Sequence, residues 1–322
     1  MTLTQFVNTM NSWGQAKVPF LFMIDFEMCD PQILKLDDVA LNDILYSVNG
    51  LSNAEKIPVH GNGVIRAITG QYSDYEIKFN KVREHLEYGD TFLTNLTIST
   101  EVILDESLKE IFFQSDAKYK LLFKDHFLVF SPETFVKIRD GKIFSYPMKG
   151  TIDASIPNAR EKVLSDKKEL AEHVTIVDLI RNDLSQVASN VTVNRFRYLE
   201  EVRTRSRNLY QVSSEIGGEL DGNYAALLGE ILVKLLPAGS VTGAPKPKTV
   251  QIIKEVEGAA RGFYTGVFGY FDGNNLDSGV MIRFIEKRGD KYFYRSGGGI
   301  TTQSVVESEY QEAIDKVYVP VA

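Results

Sequence analysis

Strand-length segments joined by short turns recur along this chain, and they constrain its fold more than any other feature. Residues 135–139 and 142–146 flank Asp140-Gly141, a dipeptide that accepts the positive φ values of a tight hairpin turn. Other segments rich in β-branched and aromatic residues lie at 19–26, 119–130, 191–198, 209–216, 263–271, 276–286 and 291–296. Turn residues separate the last three segments, which predicts a three-strand meander.

Helical spacing of apolar residues is less frequent and irregularly placed. It occurs at 78–88, 166–183, 224–236 and 246–256. In the second of these segments Ser165 is the predicted N-cap, and the predicted buried stripe consists of Leu170, Val174, Val177 and either Ile180 or Leu179. Ser304 and Glu307 form a capping box, which predicts a final helix.

The irregular order of strands and helices decides the predicted fold class. No internal repeat and no Pro/Ser-rich linker divides the chain. We therefore predict an α/β (α+β) protein in which one large domain, residues 1–322, combines mostly antiparallel sheets with helices packed outside them.

Composition and charge exclude several classes of partner. The chain has 322 residues, 43% of them hydrophobic, and a formal net charge of −7 with no extended basic run, so nucleic acid is not an expected partner. No apolar run reaches about 18 residues and no secretory signal pattern is present, so we expect a cytoplasmic protein that does not enter a membrane. The single cysteine, Cys29, excludes an internal disulfide and is expected to be buried or inert.

Residues 237–246 (PAGSVTGAPK) form a loop of small residues between two predicted helices. Glycines allow backbone N–H groups to approach an anion, and the start of a helix adds a positive dipole end. The spacing from Gly239 to Lys246 does not match the phosphate-binding P-loop. An anion-binding loop and a simple turn between helices therefore both remain open at this point.

Two pairs of glutamates stand three residues apart, Glu169 with Glu172 and Glu309 with Glu312. Residues at this spacing share one helix face, where like charges cost a few tenths of a kcal/mol unless something compensates them. Two solvated helix faces would explain the pairs. Together with the glycine loop, they also fit a site of hard oxygen ligands, which suits Mg²⁺.

Several segments, in this order, resemble the chorismate-utilising enzymes, a family that includes anthranilate, isochorismate, salicylate and aminodeoxychorismate synthases. They are residues 131–133 (SPE), 147–151 (PMKGT), 171–173 (AEH), 178–183 (DLIRND), 237–246, 261–266 (RGFYTG), 282–283 (IR), 297–300 (GGGI) and 309–312 (EYQE). The resemblance covers roughly residues 75–320 and is looser over 1–75. It implies two large antiparallel sheets packed together, with chorismate as substrate and Mg²⁺ as cofactor.

The resemblance also implies roles for individual residues. Glu172 and Glu312 resemble direct Mg²⁺ ligands, with Glu169 and Glu309 acting through water. The expected substrate contacts are Ser240, Thr242, Gly243, Lys246, Tyr264, Arg283, Gly297, Gly298, Lys316 and Gln211. Of these, Arg283 and Lys316 are expected to clamp the enolpyruvyl carboxylate, and the loop residues to lie near the ring carboxylate.

Lys149 bears on which reaction the chain performs. The family's anthranilate synthases typically have Ala at this position, whereas aminodeoxychorismate synthases have a Lys whose amine attacks C2 before ammonia attacks C4. We therefore expect amination at C4 through a covalent Lys149 intermediate, with Glu133 as general acid. A free Lys amine has a pKa of about 10.4, so we expect the site to lower it.

Two departures from the family pattern and one missing activity complete the prediction. Leu93 stands where water-adding members have Lys, and Gln211 stands where many members have His, so neither can transfer a proton at neutral pH. No glutaminase Cys-His-Glu arrangement is present, so a separate glutaminase partner is expected to supply ammonia. Amination at C2 to anthranilate and a catalytically silent binding subunit remain the alternatives.

Overall fold

The computed structural model describes residues 1–55, 63–68, 70, 72–203 and 208–321. Its helices are α1 (Leu3–Gln15), α2 (Leu36–Val39), α3 (Tyr72–Tyr88), α4 (Leu108–Gln114), α5 (Ala159–Ser165), α6 (Lys167–Leu184), α7 (Leu228–Leu235), α8 (Lys246–Glu257) and α9 (Val306–Asp315). Short 3₁₀ turns lie at Ala40–Asn42, Tyr224–Leu227 and Gly239–Val241.

The strands of the described residues are short apart from three long ones, β6, β12 and β13. In chain order they are β1 (Phe20–Ile24), β2 (Gln32–Lys35), β3 (Ile44–Val48), β4 (Leu51–Ser52), β5 (Ile65–Ile68), β6 (Leu93–Leu104), β7 (Tyr119–Phe123), β8 (Phe127–Ser131), β9 (Thr134–Arg139), β10 (Lys142–Ser145), β11 (Met148–Asp153), β12 (Ser189–Arg203), β13 (Asn208–Glu219), β14 (Gly243–Ala244), β15 (Val267–Phe271), β16 (Leu276–Val280), β17 (Phe284–Arg288) and β18 (Lys291–Ile300).

These strands form two nine-stranded sheets in which the paired strands are antiparallel. The first sheet has the order β11-β13-β10-β9-β16-β15-β1-β2, with β12 also paired to β13. The second has the order β14-β6-β18-β17-β8-β7-β3-β4, with β5 also paired to β6. The predicted fold class is therefore confirmed.

The hairpin of β9 and β10 forms where the sequence predicts it. Arg139 pairs with Lys142, and the two turn residues between them have φ values of 51° (Asp140) and 71° (Gly141). These are the left-handed values that Asp and Gly tolerate better than most residues. The hairpin leads directly into β11, which carries Lys149.

The core lies in layers on both faces of each sheet. Leu21 and Phe268 of the first sheet pack against Leu121 and Val129 of the second, so the two sheets bury their facing sides together. The outer face of the first sheet is covered by α1, α6 and α7, which supply Phe6, Met10, Val177, Leu184, Leu228 and Leu232. The outer face of the second is covered by α3, α4 and α8.

The predicted meander is wrong. Residues 276–286 form two strands, β16 in the first sheet and β17 in the second, so the chain crosses between sheets at Met281–Arg283. Arg283 has a φ of 53°, and Thr265 donates its backbone N–H to Met281 O at 2.8 Å, so the strand is interrupted there. No Gly or Pro marks this break in the sequence.

Helix starts also differ from the predictions. Asp166, not Ser165, caps α6, because its side chain accepts from the Glu169 backbone N–H. The predicted capping box of α9 does not form: the N-cap is Val305, and the Ser304 hydroxyl donates to Glu309 instead. Cys29, expected to be buried or inert, is exposed.

Two apolar segments are placed differently from expectation. On α6, Leu170 and Val174 are exposed, whereas His173, Ile176 and Val177 face the core. Within the described residues, Tyr224–Val241 is long and apolar enough to pass as a membrane span, but half of it (50%) is buried inside the protein. It forms a 3₁₀ turn, the eight-residue α7 and part of the glycine loop, and α7 packs on α1 in the core.

Candidate functional site

Lys149 lies at an irregularity of β11. The strand pairs with β13 at Met148 and again at Thr151, with a register shift between them, and Gly150 has a φ of 96°. The bulge directs the Lys149 side chain towards α6, where its Nζ lies 2.7 Å from Glu172 Oε2. The hairpin and its bulge therefore place the predicted nucleophile against a predicted metal ligand.

Glu169 lies one turn before Glu172 on α6 and packs over the same bulge. A Cβ at Gly150 would lie 3.2 Å from Glu169 Oε2, closer than ordinary van der Waals contact, so the close approach favours glycine. Glu169 Oε2 is buried and has no hydrogen-bond partner. Burial raises the pKa of the Glu169 carboxyl, and the nearby charge of Glu172 raises it further.

The second glutamate pair approaches from α9 across the glycine run of β18. A Cβ at Gly298 would lie 3.5 Å from Glu309 Oε2 and 3.8 Å from Glu312 Oε1, so the bare backbone leaves room beside both carboxylates. Lys316 follows α9 and donates to Gly297 O at 2.8 Å and to Glu312 Oε1 at 2.7 Å. Burial, reinforced by the charge of Glu312, raises the pKa of Glu309.

The two glutamate pairs meet around Lys149. Burial acts to lower the pKa of its ammonium, but the charges of Glu172, Glu169 and Glu312 outweigh it and raise the pKa. The expectation that the protein alone lowers this pKa is therefore wrong. In this arrangement Lys149 is a counter-ion of the carboxylates, and it must lose that role before its amine can attack.

The four carboxylates fit Mg²⁺ by their chemistry. They supply hard oxygen donors, one of which, Glu169 Oε2, is buried without a partner. As the side chains stand, no three His, Cys, Asp or Glu of the described residues form a group that could hold an ion. Glu172 is bonded to Lys149 and Glu312 to Lys316, so an ion held by both pairs would compete with these two cations.

Glu133 lies between β8 and β9, where the chain passes from the second sheet to the first. Its carboxylate accepts a hydrogen bond from the Ser240 hydroxyl of the glycine loop. Burial raises the pKa of Glu133, although this hydrogen bond and the charges of Arg283 and Lys316 act to lower it. A carboxyl that keeps its proton is suited to act as a general acid.

Arg283 acts on the charge of both Glu133 and Tyr264. Arg283 stands at the crossing between the sheets, with its guanidinium 5.2 Å from the centre of the Tyr318 ring. Tyr264 is buried, and burial raises its pKa to about 12 although the charges of Arg295, Arg261 and Arg283 act against this. Lys316 connects this group to the glutamates through Glu312, so the two predicted clamp residues lie at the same site.

Other predicted substrate contacts have structural partners instead. Lys246 donates to Asp183 Oδ2 at 2.7 Å and to Leu235 O at 2.9 Å, so its ammonium is held by α6 and the end of α7. The buried Thr242 hydroxyl donates to Ala238 O at 2.7 Å. A Cβ at Gly243 would lie 1.9 Å from Leu93 O, so this glycine permits the contact of β14 with β6. The geometry gives these three contacts no support.

Gln211 lies on β13, paired in register with Thr151, two residues after Lys149. It is therefore on the strand next to β11, which carries Lys149, and its contact with substrate stays a prediction. The sequence analysis did not assign a role to His173, which is fully buried and bonded to β11 and β13. Its position directly after Glu172 in the AEH motif is the sequence feature that could have indicated a role for His173 at this site.

Comparison with known proteins identifies the family. The profile of a family described as chorismate binding enzyme matches residues 43–322. The chain belongs to this family. An uncharacterized PabA-like protein of Pasteurella multocida is 47% identical to this chain over 324 residues, covering 100% of both chains.

Two characterised branches of the chorismate binding enzymes are also similar. Anthranilate synthase component 1 of Archaeoglobus fulgidus is 34% identical, over 85% of this chain and 69% of the relative. Aminodeoxychorismate synthase component 1 of Bacillus subtilis is 32% identical, over 74% of this chain and 53% of the relative. The chain thus spans about half the length of the Bacillus subtilis protein.

Solved structures of the chorismate binding enzymes share the fold. Anthranilate synthase component I of Streptococcus pneumoniae aligns with a TM-score of 0.66 and 26% identity, over 79% of this chain and 58% of the other. The menaquinone-specific isochorismate synthase of Escherichia coli aligns with a TM-score of 0.72 over 97% of this chain and 80% of the other. At 16% identity, the second match supports the fold alone.

Proposed function

We propose that this chorismate binding enzyme aminates chorismate at C4, giving 4-amino-4-deoxychorismate with ammonia supplied by a glutaminase partner. The observation that carries the proposal is the position of Lys149, whose Nζ lies 2.7 Å from Glu172 and in the field of Glu169 and Glu312. A primary amine beside these carboxylates is, once deprotonated, a suitable nucleophile for the substrate ring. The similarity to aminodeoxychorismate synthase component 1 of Bacillus subtilis agrees with it.

The chain's own groups account for the proton and bond changes. Once its ammonium has given a proton to solvent, Lys149 forms a C–N bond at C2 as the ring double bonds shift, and the C4 hydroxyl leaves as water with a proton from Glu133. Ammonia then forms a bond at C4, the double bonds shift back, and the C2–N bond to Lys149 breaks. Glu133, now a carboxylate, accepts a proton in this second half, which restores the starting state.

Substrate orientation is assigned to the cations next to the glutamates, since Lys316 itself donates to Glu312. Arg283 and Lys316, with the backbone of Gly297 and Gly298, would bind the enolpyruvyl carboxylate beside Tyr264, because a guanidinium donates two parallel hydrogen bonds to a carboxylate. Glu172 and Glu312, supported by Glu169 and Glu309, would hold Mg²⁺. When bound, the ion would supply positive charge at the ring carboxylate of chorismate.

A second candidate is amination at C2, as in anthranilate synthases. It is favoured by the 34% identity to the Archaeoglobus fulgidus anthranilate synthase component 1, which covers more of this chain than the aminodeoxychorismate synthase match. Lys149 is the observation against it, because anthranilate synthases typically have Ala at this position, whereas here a lysine side chain reaches Glu172 from β11. A catalytically silent binding subunit is the third possibility.

One assay separates the three. The purified protein is incubated with chorismate, ammonium chloride and Mg²⁺, and the products are analysed with and without aminodeoxychorismate lyase. We expect 4-aminobenzoate only after lyase is added, and a mass increase of the protein that maps to Lys149. Direct formation of anthranilate would establish C2 amination instead, and no turnover would support the binding subunit.

The partner and location follow from the same proposal. The chain has one cysteine, the exposed Cys29, and four histidines, so it lacks the cysteine-based glutaminase centre that would release ammonia from glutamine. We propose a cytoplasmic complex with a separate glutaminase, without nucleic acid or membrane contact. Co-purification of a glutaminase, together with glutamine-dependent amination by the complex, would test this assembly.

A further inference from the structure

His173 contacts the backbone of Lys149, and the preceding residue, Glu172, binds the Lys149 side chain. It is fully buried on α6 and lies between two strands of the first sheet. Its Nε2 lies 2.7 Å from Ser214 Oγ on β13, and its Nδ1 lies 3.3 Å from Lys149 O on β11. Two successive residues of one helix therefore hold Lys149, one at the ammonium and one at the backbone carbonyl.

The partners of His173 determine where its ring hydrogen lies. A carbonyl oxygen only accepts, so Nδ1 must carry the hydrogen that is shared with Lys149 O. Ser214 Oγ accepts the backbone N–H of Arg197 at 3.0 Å, and its own hydrogen is free to be donated to Nε2. The contacts thus form a directed chain from Arg197 through Ser214 and His173 to the Lys149 carbonyl.

The backbone at Lys149 needs such support. The register shift between Met148 and Thr151 leaves Lys149 and Gly150 without a registered partner on β13. Gly150 is in the left-handed region, with a φ of 96°, a conformation outside the regular strand ladder that residues other than glycine rarely adopt. The hydrogen bond from His173 fixes the peptide from which the Lys149 side chain projects.

We propose that His173 is a positioning residue, which holds the Lys149 bulge through Nδ1 so that the amine is directed at the substrate. The inference rests on the proposed function, because it assumes that Lys149 attacks chorismate. His173 does not touch the substrate and transfers no proton. A displacement of about 1 Å at a reacting group can reduce the rate about a hundredfold.

A matched pair of variants tests the link to the Lys149 carbonyl. Asn carries its amide N–H near the position of Nδ1, and Gln carries its own near Nε2, so His173→Asn keeps the bond to Lys149 and His173→Gln keeps only the bond to Ser214. We expect His173→Gln to lose kcat by about 10- to 100-fold with the KM for chorismate unchanged. His173→Asn should recover most of kcat, and Ser214→Ala, which leaves the Lys149 bond in place, should lose little.

Equal loss of kcat in the Asn and Gln variants, or a raised KM with unchanged kcat, would overturn the proposal. A second measurement does not depend on the variants folding. In ¹⁵N-histidine-labelled wild-type protein, whose four histidines are assignable by substitution, the His173 Nδ1 signal should be that of a protonated ring nitrogen. An unprotonated Nδ1 would refute it, whereas failure of wild-type amination would count against the proposed function and leave this result standing.

Discussion

At the scale of single residues, the proton on Glu133 is controlled by its surroundings. Burial raises the pKa of this carboxyl, and the hydrogen bond from Ser240 acts to lower it. Because the acid form is the one that donates, a raised pKa keeps Glu133 active to higher pH, and the rate falls as pH rises through that pKa. Two substitutions therefore have distinguishable effects on the pH profile.

Glu133→Gln should lower kcat about 10²- to 10⁴-fold and remove the alkaline limb of the kcat profile, because the amide has no proton to give. Ser240→Ala should leave a measurable kcat and move that limb to higher pH, since the hydrogen bond that favours the ionised form is lost. The pH dependence of ammonium-driven turnover measures both. If the alkaline limb of the kcat profile does not move in Ser240→Ala and is still present in Glu133→Gln, the proton is donated by a group other than Glu133.

Lys149 is the residue on which the regiochemistry depends. Lys149→Ala should lower C4 amination by more than about a thousandfold, since the covalent route has no second nucleophile. Lys168, whose Nζ lies 3.8 Å from the other oxygen of Glu172, offers a control, because Lys168→Ala removes a cation from the same carboxylate without touching the proposed nucleophile. Product analysis by mass spectrometry is the measurement, and unchanged product and rate in Lys149→Ala would exclude the covalent role.

At the scale of secondary-structure elements, local sequence was informative where local chemistry decides the outcome. The Asp140-Gly141 hairpin, the end of α3 and the start of α8 lie where spacing and turn residues predict them, whereas α3 begins six residues earlier than predicted. The break between β16 and β17 was not predictable, because a contact from Thr265 and a left-handed Arg283 produce it rather than a Gly or Pro. The missing capping box has a similar cause: Ser304 is bonded to Glu309, which belongs to the glutamate site.

The candidate site was predicted by motif rather than by geometry. The spacing within each glutamate pair shows a shared helix face, but it cannot show that α6 and α9 both approach Lys149. The direction of the pKa shift of Lys149 was predicted wrongly, because the sequence shows a lysine but does not show the three carboxylates around it. The ion pair of Lys246 was missed for the related reason that its partner, Asp183, is distant in sequence.

The two helices should be joined by the ion that they are proposed to bind. Mg²⁺ that binds only the folded protein should raise its stability by about 2.7 kcal/mol at a concentration of 100 times its dissociation constant. Thermal unfolding with increasing MgCl₂, and after chelation with EDTA, measures this without requiring turnover. Glu312→Gln should abolish the shift, and Glu161→Gln, an exposed control on α5, should not; a shift retained in Glu312→Gln would place the ion elsewhere.

The short strand β14 predicts a large stability effect at one glycine. Gly243 has a φ of 132°, and a Cβ there would lie 1.9 Å from Leu93 O, so Gly243→Ala must displace β14 from β6. We expect a loss of about 3 kcal/mol or more in the free energy of unfolding. Gly289 is the matched control, because its φ of 60° is also positive but nothing lies within 4 Å, and Gly289→Ala should cost about 1 kcal/mol.

Urea unfolding at neutral pH compares the two glycine variants. If both lose the same free energy, backbone conformation alone explains the cost and the clash with β6 is absorbed without strain. The proposed loss also bears on function, since Gly243 follows Thr242 in the loop that presents Ser240 to Glu133. Activity should therefore fall with stability in Gly243→Ala and remain near wild type in Gly289→Ala.

At the scale of the whole molecule, the site exists only because both sheets supply parts of it. Lys149 comes from the first sheet, and the glycine run at Gly297 and Gly298 comes from the second. Glu133 and Arg283 each lie on a passage between the sheets, β8 to β9 and β16 to β17. The relative position of the sheets therefore sets the distance between the amine, the acid and the clamp, and a residue that joins distant segments should affect them together.

Arg261 is such a residue. It is buried, and its guanidinium donates to Glu257 at 2.6 Å and 2.9 Å, to Val241 O at 2.8 Å and to Asn95 O at 2.8 Å. It thereby joins the end of α8, the glycine loop and β6. Arg261→Met leaves the buried Glu257 carboxylate without its partner, which should cost about 3–5 kcal/mol of unfolding free energy. Ser240, next to Val241, should lose its position at Glu133, so kcat should fall as well.

A double variant separates the lost charge pair from lost packing. Glu257 also accepts from the backbone and hydroxyl of Thr97, each at 3.0 Å, and Gln at this position keeps a neutral acceptor for both. Arg261→Met with Glu257→Gln should therefore recover about 1–2 kcal/mol relative to Arg261→Met alone, because the uncompensated charge is gone. Its kcat should stay low, since the bonds to Val241 O and Asn95 O are still missing. Equal stability of the single and double variants would show that the buried charge is not what destabilises the protein.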